Sequence, residues 1–108
     1  MASRIPKRIG PALVATGPTT IYTVPTSVKA TIKHVHVANT TAAAVTFTLS
    51  IGADAAGTRV YPARSIPAGT ELDLFPYWPM VAAEILTASA GTNNILTLTI
   101  GYDEELAA

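Results

Sequence analysis

The sequence predicts an all-β protein with an antiparallel β-sandwich or jelly-roll-like fold and about seven to eight short strands. Two runs, at 45–51 and 96–102, alternate apolar and polar residues with a period of two, as a strand with one buried and one exposed face requires. Val, Ile and Thr recur along the chain, and eight Pro and seven Gly punctuate the apolar runs. This composition is typical of short strands joined by turns.

The N-terminal segment differs in character from the rest of the chain. Residues 1–12 contain the basic cluster Arg4, Lys7 and Arg8 and show no apolar alternation. This pattern predicts an extended basic arm that lies outside the core and binds a neighbouring subunit. Because 108 residues is an ordinary size for one domain, we expect residues 13–108 to form a single β-sandwich domain.

The first long strand after the arm is predicted to be irregular. The apolar side chains of residues 28–32 and those of residues 35–37 follow opposite registers. A bulge or bend near Lys33 and His34 would bring both halves onto one face. Only a short connection, residues 39–43, separates this strand from the strand at 45–51, so we expect the two to pair as an antiparallel hairpin.

Shorter runs predict the remaining strands. The run at 80–89 also contains Ala, Met, Glu and Leu, which favour a short helix, and we interpret it as a strand. The predicted weaker strands are 20–24, 58–64, 70–75 and 80–89.

His34 and His36 are two residues apart in a predicted strand, so they would project from one face as two metal ligands or as a catalytic base and its helper. A zinc site needs three or four protein ligands, and the sequence offers no further ligand at a suitable spacing. We therefore predict no metal. The two imidazoles are expected on a solvent or subunit face, opposite Val35 and Val37.

No other pattern predicts catalysis or a cofactor. The chain has no Cys and no G-x-S-x-G motif, so a thiolate or an esterase-type serine is not indicated. The acidic residues Asp54, Glu71, Asp73 and Glu84 are scattered singly, and the loop GADAAGT lacks the Lys of a phosphate-binding loop. The sequence predicts a protein that is not an enzyme.

The charge content indicates a protein that packs against others. Seven Lys plus Arg balance seven Asp plus Glu, and only 13% of the residues are charged, about half the usual share. A weakly charged surface suits contacts with copies or with a larger assembly. Cations outside the arm are few and no apolar run could span a bilayer, so neither nucleic acid nor a membrane is expected as a partner.

The stretch FPYWPM places Phe75, Tyr77 and Trp78 beside two prolines. Large rings on a stiff loop are good anchors for a partner, and we name Tyr77 and Trp78, with Arg4, Lys7 and Arg8 of the arm, as candidate partner-binding residues. The same rings would equally well close one end of the sandwich core, and both interpretations stay open.

Four short motifs recur along the chain: a Y-x-V-P motif, an I-x-V-x-N strand, an alternating V-T-F-T-L strand and an I-P-A-G turn. The matching positions are Tyr22, Val24, Pro25, Val35, Val37, Asn39, residues 45–49 and residues 66–69. With these motifs, most of residues 20–103 resembles the small all-β virion proteins encoded beside the structural genes of tailed bacteriophages.

This resemblance implies a non-enzymatic virion protein with no catalytic residue to carry over. It implies a capsid decoration or stabilising subunit that binds the major capsid protein or other virion proteins, assembles in the host bacterial cytoplasm and forms a homo-oligomer, with a trimer favoured. The alternative is a tail or fibre accessory protein that binds a receptor or glycan through Tyr77 and Trp78.

Overall fold

A computed structural model of the protein describes residues 4–53, 55 and 57–106. These residues form nine β-strands in two antiparallel sheets, which confirms the all-β prediction. The described part of the chain contains no helix that is long and apolar enough to cross a membrane. In chain order the strands are β1 (Ile5–Leu13), β2 (Thr19–Thr23), β3 (Val28–Asn39), β4 (Val45–Ile51), β5 (Arg59–Ile66), β6 (Glu71–Leu74), β7 (Trp78–Met80), β8 (Ile85–Ala90) and β9 (Leu96–Leu106).

The two sheets divide the strands between them without regard to chain order. The first sheet has the order β1-β9-β3-β6, and β7 also pairs with β3. Since β9 occupies one side of β3, its other side is shared, with β7 along residues 30–32 and β6 along residues 35–38. The second sheet has the order β2-β8-β4-β5.

The core lies between the two sheets, and β4 and β9 are among the strands that line it. The apolar residues of both period-two runs point inward, as predicted, because this buries one face of each sheet against the other. The buried core members of these two strands are Val45, Phe47, Leu49, Leu96, Leu98, Ile100 and Tyr102.

The predicted irregularity in β3 is confirmed. The pairing with β9 skips one residue between Ile32 and His34, so Lys33 is the extra residue of a β-bulge. The bulge lets Ile32 and Val35 both face the core, where each is fully buried.

The predicted hairpin between β3 and β4 is wrong. The two strands belong to different sheets, and the connection between them crosses the sandwich. The buried Asn39 fixes this crossing, because its side-chain amide donates to the carbonyl oxygens of Ala43 and Ile66, each at 2.9 Å. A short connection fits a crossing as well as a hairpin, since packed sheets lie only about 10 Å apart.

The segment 80–89 is not a helix. After β7 it makes a turn, in which the Glu84 amide donates to the Val81 carbonyl at 3.1 Å, and then it continues as β8. The strand interpretation is therefore confirmed for the second half of the segment, and the first half is a turn.

The N-terminal segment also differs from the expectation. Over residues 5–12 it is an edge strand paired with β9, whereas the sequence predicts an extended arm. Gly10 has a positive φ of 81°, and a Cβ there would clash with the carbonyl oxygen of Leu98, so glycine permits the close approach to β9. Residues 1–3 of the predicted arm, residues 107–108 of the predicted domain and Asp54 lie outside the described residues.

Candidate functional site

Four polar side chains meet on the outer face of the first sheet, where β3 and β6 lie side by side. His34 and His36 project outward because the intervening Val35 is buried, as the sequence predicts. Across the antiparallel pair, His36 lies opposite Asp73, and Glu71 projects from the same face of β6 as Asp73 because the two are separated by one residue. We call His34, His36, Glu71 and Asp73 the histidine–carboxylate cluster.

The contacts in this cluster are short. Asp73 Oδ1 lies 2.8 Å from His34 Nε2 and 2.7 Å from His36 Nδ1. The second nitrogen of the same ring, His36 Nε2, lies 3.2 Å from Glu71 Oε2. The imidazole of His36 is thus held between two carboxylates.

These contacts have an electrostatic consequence. Hydrogen bonds from His36 and His34 hold the pKa of Asp73 below its ordinary value, because they stabilise the ionised carboxylate.

The aromatic ring of Phe75 stacks on that of His34, with ring centroids 4.7 Å apart and planes 9° apart. The stack fixes the plane of the His34 ring and so the direction of its Nε2.

Sequence reasoning found no companion for the two histidines, and the structure supplies one. One ligand atom from each of His34, His36 and Asp73 lies within 4.8 Å of the others. Asp73 is distant in sequence and arrives through the β3–β6 pairing. The alternation in the stretch ELDLF, with Glu71 and Asp73 between leucines, was the one local signal that both carboxylates share a polar face.

The basic residues named as partner-binding candidates lie along β1, and two of them pair within the chain. Lys7 Nζ lies 2.7 Å from Glu104 Oε1, and Arg4 Nε lies 3.9 Å from Glu105 Oε2. Arg8 is exposed. Arg4 and Lys7 therefore face acidic residues at the end of β9 in the same molecule. A role of residues 1–12 in binding a neighbouring subunit stays a prediction.

The contact of Lys7 belongs to a network that ties the two sheets together. Glu104, buried on β9, accepts hydrogen bonds from the side chains of Lys7 and Tyr22. Both bonds hold the pKa of Glu104 below its ordinary value, with Lys7 the larger cause. Burial, followed by the bond to Glu104, raises the pKa of Tyr22. Because Tyr22 is on β2, this network connects an edge of each sheet.

The network gives stability a pH dependence. The folded-state pKa of Glu104 lies below the usual 4.5, so its contribution is present above that value and is lost as the pH falls through the folded pKa. We expect the free energy of unfolding to fall as the pH drops below 4.5 toward the folded-state pKa of Glu104, because the unfolded state binds protons more readily. Urea denaturation at a series of pH values measures this slope.

The variant Glu104→Gln should be less stable at neutral pH. Its free energy of unfolding should also fall less steeply as the pH drops, and the fall that is left should come from groups such as Asp73. Glu105→Gln, at the neighbouring and more exposed position, is the matched control and should keep the wild-type slope. Equal slopes in the wild type and in Glu104→Gln would contradict this assignment.

The aromatic residues of FPYWPM separate into two groups. Trp78 is partly buried and packs against the core, as the core-closing interpretation expects. Tyr77 is 65% exposed and Phe75 is 79% exposed, as anchors for a partner would be. Phe75, which was not among the named candidates, joins Tyr77 in what we call the exposed aromatic pair. Binding of a partner by Tyr77 or Trp78 stays a prediction.

Comparisons with known proteins extend the description of the fold. No protein-family profile matches the chain, and no curated protein matches it significantly. A Bacillus endospore appendage protein, described as forming disulfide-linked pili, has a similar structure, with a TM-score of 0.50, 11% identity and coverage of 98% of this chain and 86% of that one.

Two viral structures are also matched. The tobacco streak virus coat protein gives a TM-score of 0.48 and 6% identity over 97% of this chain and 85% of its own. A chain of the cyanophage Pam1 capsid gives a TM-score of 0.37 and 13% identity over 100% of this chain and 84% of its own. At 11% identity the likeness to the appendage protein concerns the fold alone.

Proposed function

We propose that this protein is a non-enzymatic structural subunit of a bacteriophage virion, and specifically a capsid decoration or stabilising subunit that binds the capsid or copies of itself. The observation that carries the proposal is the exposed aromatic pair, Phe75 and Tyr77, on the surface of a domain with few charges. Such a surface gains free energy by contact with another protein surface.

The free energy gained by burying these side chains is large enough to contribute to assembly. Burying apolar surface stabilises by about 25 cal/mol per Å², so that one fully buried Phe contributes about 1.5–3 kcal/mol. Val81, in the turn that follows β7, is a further exposed apolar residue. In a symmetric assembly each such contact recurs in every copy, so a modest contact per subunit yields a stable whole.

The phage-like sequence motifs support the proposal at the level of fold. Val24, Val35 and Val37 are buried, and Asn39 fixes the connection between the sheets. The I-P-A-G turn ends at Gly69, whose φ is 67°. The motifs thus occupy positions that determine the sandwich. The absence of Cys separates this chain from the disulfide-linked manner of assembly described for the Bacillus appendage protein.

Replacing both exposed rings tests the proposal. We expect Phe75→Ser/Tyr77→Ser to keep its fold, with a stability change within about 1 kcal/mol, since exposed side chains contribute little to it. Self-association should be lost because the apolar contact is gone. Sedimentation velocity of wild type and variant measures the oligomer, and the trimer that we favour predicts three times the monomer mass.

Leu13→Ser provides the control, since Leu13 is an exposed apolar residue on β1 at the opposite edge of the first sheet. This variant should assemble as the wild type does. A wild-type chain that stays monomeric at high concentration and does not bind phage particles lacking it would contradict the proposal.

A second candidate function is a tail or fibre accessory protein that binds a receptor glycan. The observation in its favour is that Tyr77 is 65% exposed, as an aromatic ring that stacks on a sugar would be. Trp78 packs against the core, so Trp78→Ala would lower the stability of the fold as well as any glycan binding. Tyr77→Ala is the better test because Tyr77 is exposed. Glycan-array binding that disappears in folded Tyr77→Ala would favour this candidate over the first.

A further inference from the structure

We propose that the outer face of the first sheet carries a site for one divalent cation of the zinc type, with His34, His36 and Asp73 as its ligands and Glu71 as the residue that positions His36. The inference uses the histidine–carboxylate cluster alone and does not depend on the virion role.

The arrangement of donors fits such an ion. Two histidines separated by one residue on a strand, with a carboxylate from the adjacent strand, supply three donors from one side, the number found in open zinc sites. Zinc lies about 2.0–2.2 Å from nitrogen and oxygen ligands, which places tetrahedral donors roughly 3.3 Å apart. Asp73 Oδ1 already lies 2.8 Å and 2.7 Å from the two nitrogens, close to this separation.

The hydrogen-bonding capacity of His36 points to a cation. A neutral imidazole has one N–H donor and one lone pair, yet both nitrogens of His36 face carboxylate oxygens, of Asp73 and Glu71. A neutral ring can donate to only one of these oxygens. With a metal ion bound between Nδ1 and Asp73 Oδ1, Nε2 keeps the proton and donates to Glu71, so that both contacts are attractive.

In this arrangement Glu71 completes a carboxylate–histidine–metal relay, which fixes the tautomer of the ligand. The cluster is also well ordered for binding. The stack on Phe75 holds the ring of His34, and the backbone of β3 is held by the fully buried Val35 and Val37. Little conformational entropy is therefore lost when the ion binds.

The donor set selects the class of ion. Imidazole nitrogens suit Zn²⁺ and its transition-metal neighbours, whereas Ca²⁺ and Mg²⁺ require mainly oxygen ligands. The two carboxylates add negative charge, which favours a cation. The Asp73 side chain is 45% exposed and that of His34 is 39% exposed, so solvent reaches the site and a fourth coordination position stays open.

Isothermal titration of the full-length, tag-free chain with Zn²⁺ tests the proposal directly. The chain has two His and no Cys, so strong competing sites are scarce. We expect one Zn²⁺ per chain, and Co²⁺ in its place should give the visible absorption of a tetrahedral site. Mg²⁺ or Ca²⁺ in excess should not displace Zn²⁺.

The variants separate ligands from the positioning residue. His34→Ala and Asp73→Asn should each abolish the Co²⁺ spectrum and weaken Zn²⁺ binding at least about 100-fold, whereas Glu71→Gln should keep the spectrum and weaken binding about 10-fold, as the loss of an outer-shell partner does. Asp103→Asn, at an acidic residue paired with Lys33, is the control and should bind as the wild type does. Circular dichroism checks that every variant is folded.

Two results would overturn the proposal. One is the absence of saturable Zn²⁺ binding by the wild type. The other is Zn²⁺ binding that persists unchanged in His34→Ala or Asp73→Asn, which would place the ion elsewhere on the chain.

Discussion

Replacing Phe47 by alanine is expected to lower the free energy of unfolding by about 3–5 kcal/mol. Phe47 is fully buried on β4, and its ring lies 5.8 Å, centroid to centroid, from the ring of Tyr61. The loss combines the apolar area returned to water with the cavity left in a close-packed interior. Because a domain is stable by only about 5–15 kcal/mol in total, equilibrium urea denaturation should resolve this change easily.

The other phenylalanine of the chain is the matched control. Phe75 is 79% exposed, so Phe75→Ala should change the free energy of unfolding by about 0.5 kcal/mol or less. If the two variants lost equal stability, Phe47 would not be the centre of the core, and the inward direction of the β4 run would be wrong.

The second large effect is expected at Asn39, whose substitution by alanine should cost about 2–4 kcal/mol. Its amide nitrogen donates to the carbonyls of Ala43 and Ile66, and its oxygen accepts from the backbone amide and the hydroxyl of Thr41. Alanine removes the side-chain donor to the buried Ile66 carbonyl and the side-chain bonds to residues 41 and 43, where the chain crosses between the sheets. An unsatisfied buried group costs about 1–3 kcal/mol. Thermal and urea denaturation measure the loss.

Two further variants sharpen this prediction. Asn93 accepts one exposed hydrogen bond, from the Thr16 amide at 3.3 Å, so Asn93→Ala should cost less than about 1 kcal/mol. Asn39→Asp keeps the shape but turns a carboxylate oxygen toward the carbonyls of Ala43 and Ile66, and it should be at least as harmful as Asn39→Ala. A mild effect of Asn39→Asp would show that the two donated bonds contribute little.

Features that depend on local pattern were predictable from the sequence. The strands β4 and β9 follow from period-two alternation, and the bulge at Lys33 follows from a change of register within one run. In each case burial of one sheet face dictates which side chains point inward. The outward direction of His34 and His36 follows from the same rule.

Features that depend on pairing between distant segments were not predictable. The connection after Asn39 has a length that suits a hairpin and a crossing equally, and only its buried hydrogen bonds distinguish them. The basic segment at residues 5–12 lacks alternation because it is an edge strand with little burial, so it resembled an arm. Its strand character is shown by the pairing with β9, which no local pattern reveals.

The candidate sites also combine features that a local pattern predicts with features that depend on long-range pairing. The sequence identified the histidine pair but not Asp73, because the two strands meet only through the order of the first sheet. It also identified the aromatic stretch without showing which rings are exposed. Trp78 faces Ile32 across the β3–β7 pair and packs inward, whereas Tyr77 lies one residue before β7 and is exposed.

The position of β9 between β1 and β3 has a consequence for how the protein is made. Both of these earlier strands have β9 as a neighbour, so on the ribosome they must wait until residues 96–106 have been synthesised. Until then β3 carries an unpaired edge that other nascent chains can reach, which is a route to aggregation. Pairings over such long sequence separations form in milliseconds to seconds, so the first sheet is completed late and the second sheet, whose strands end at residue 90, can form before it.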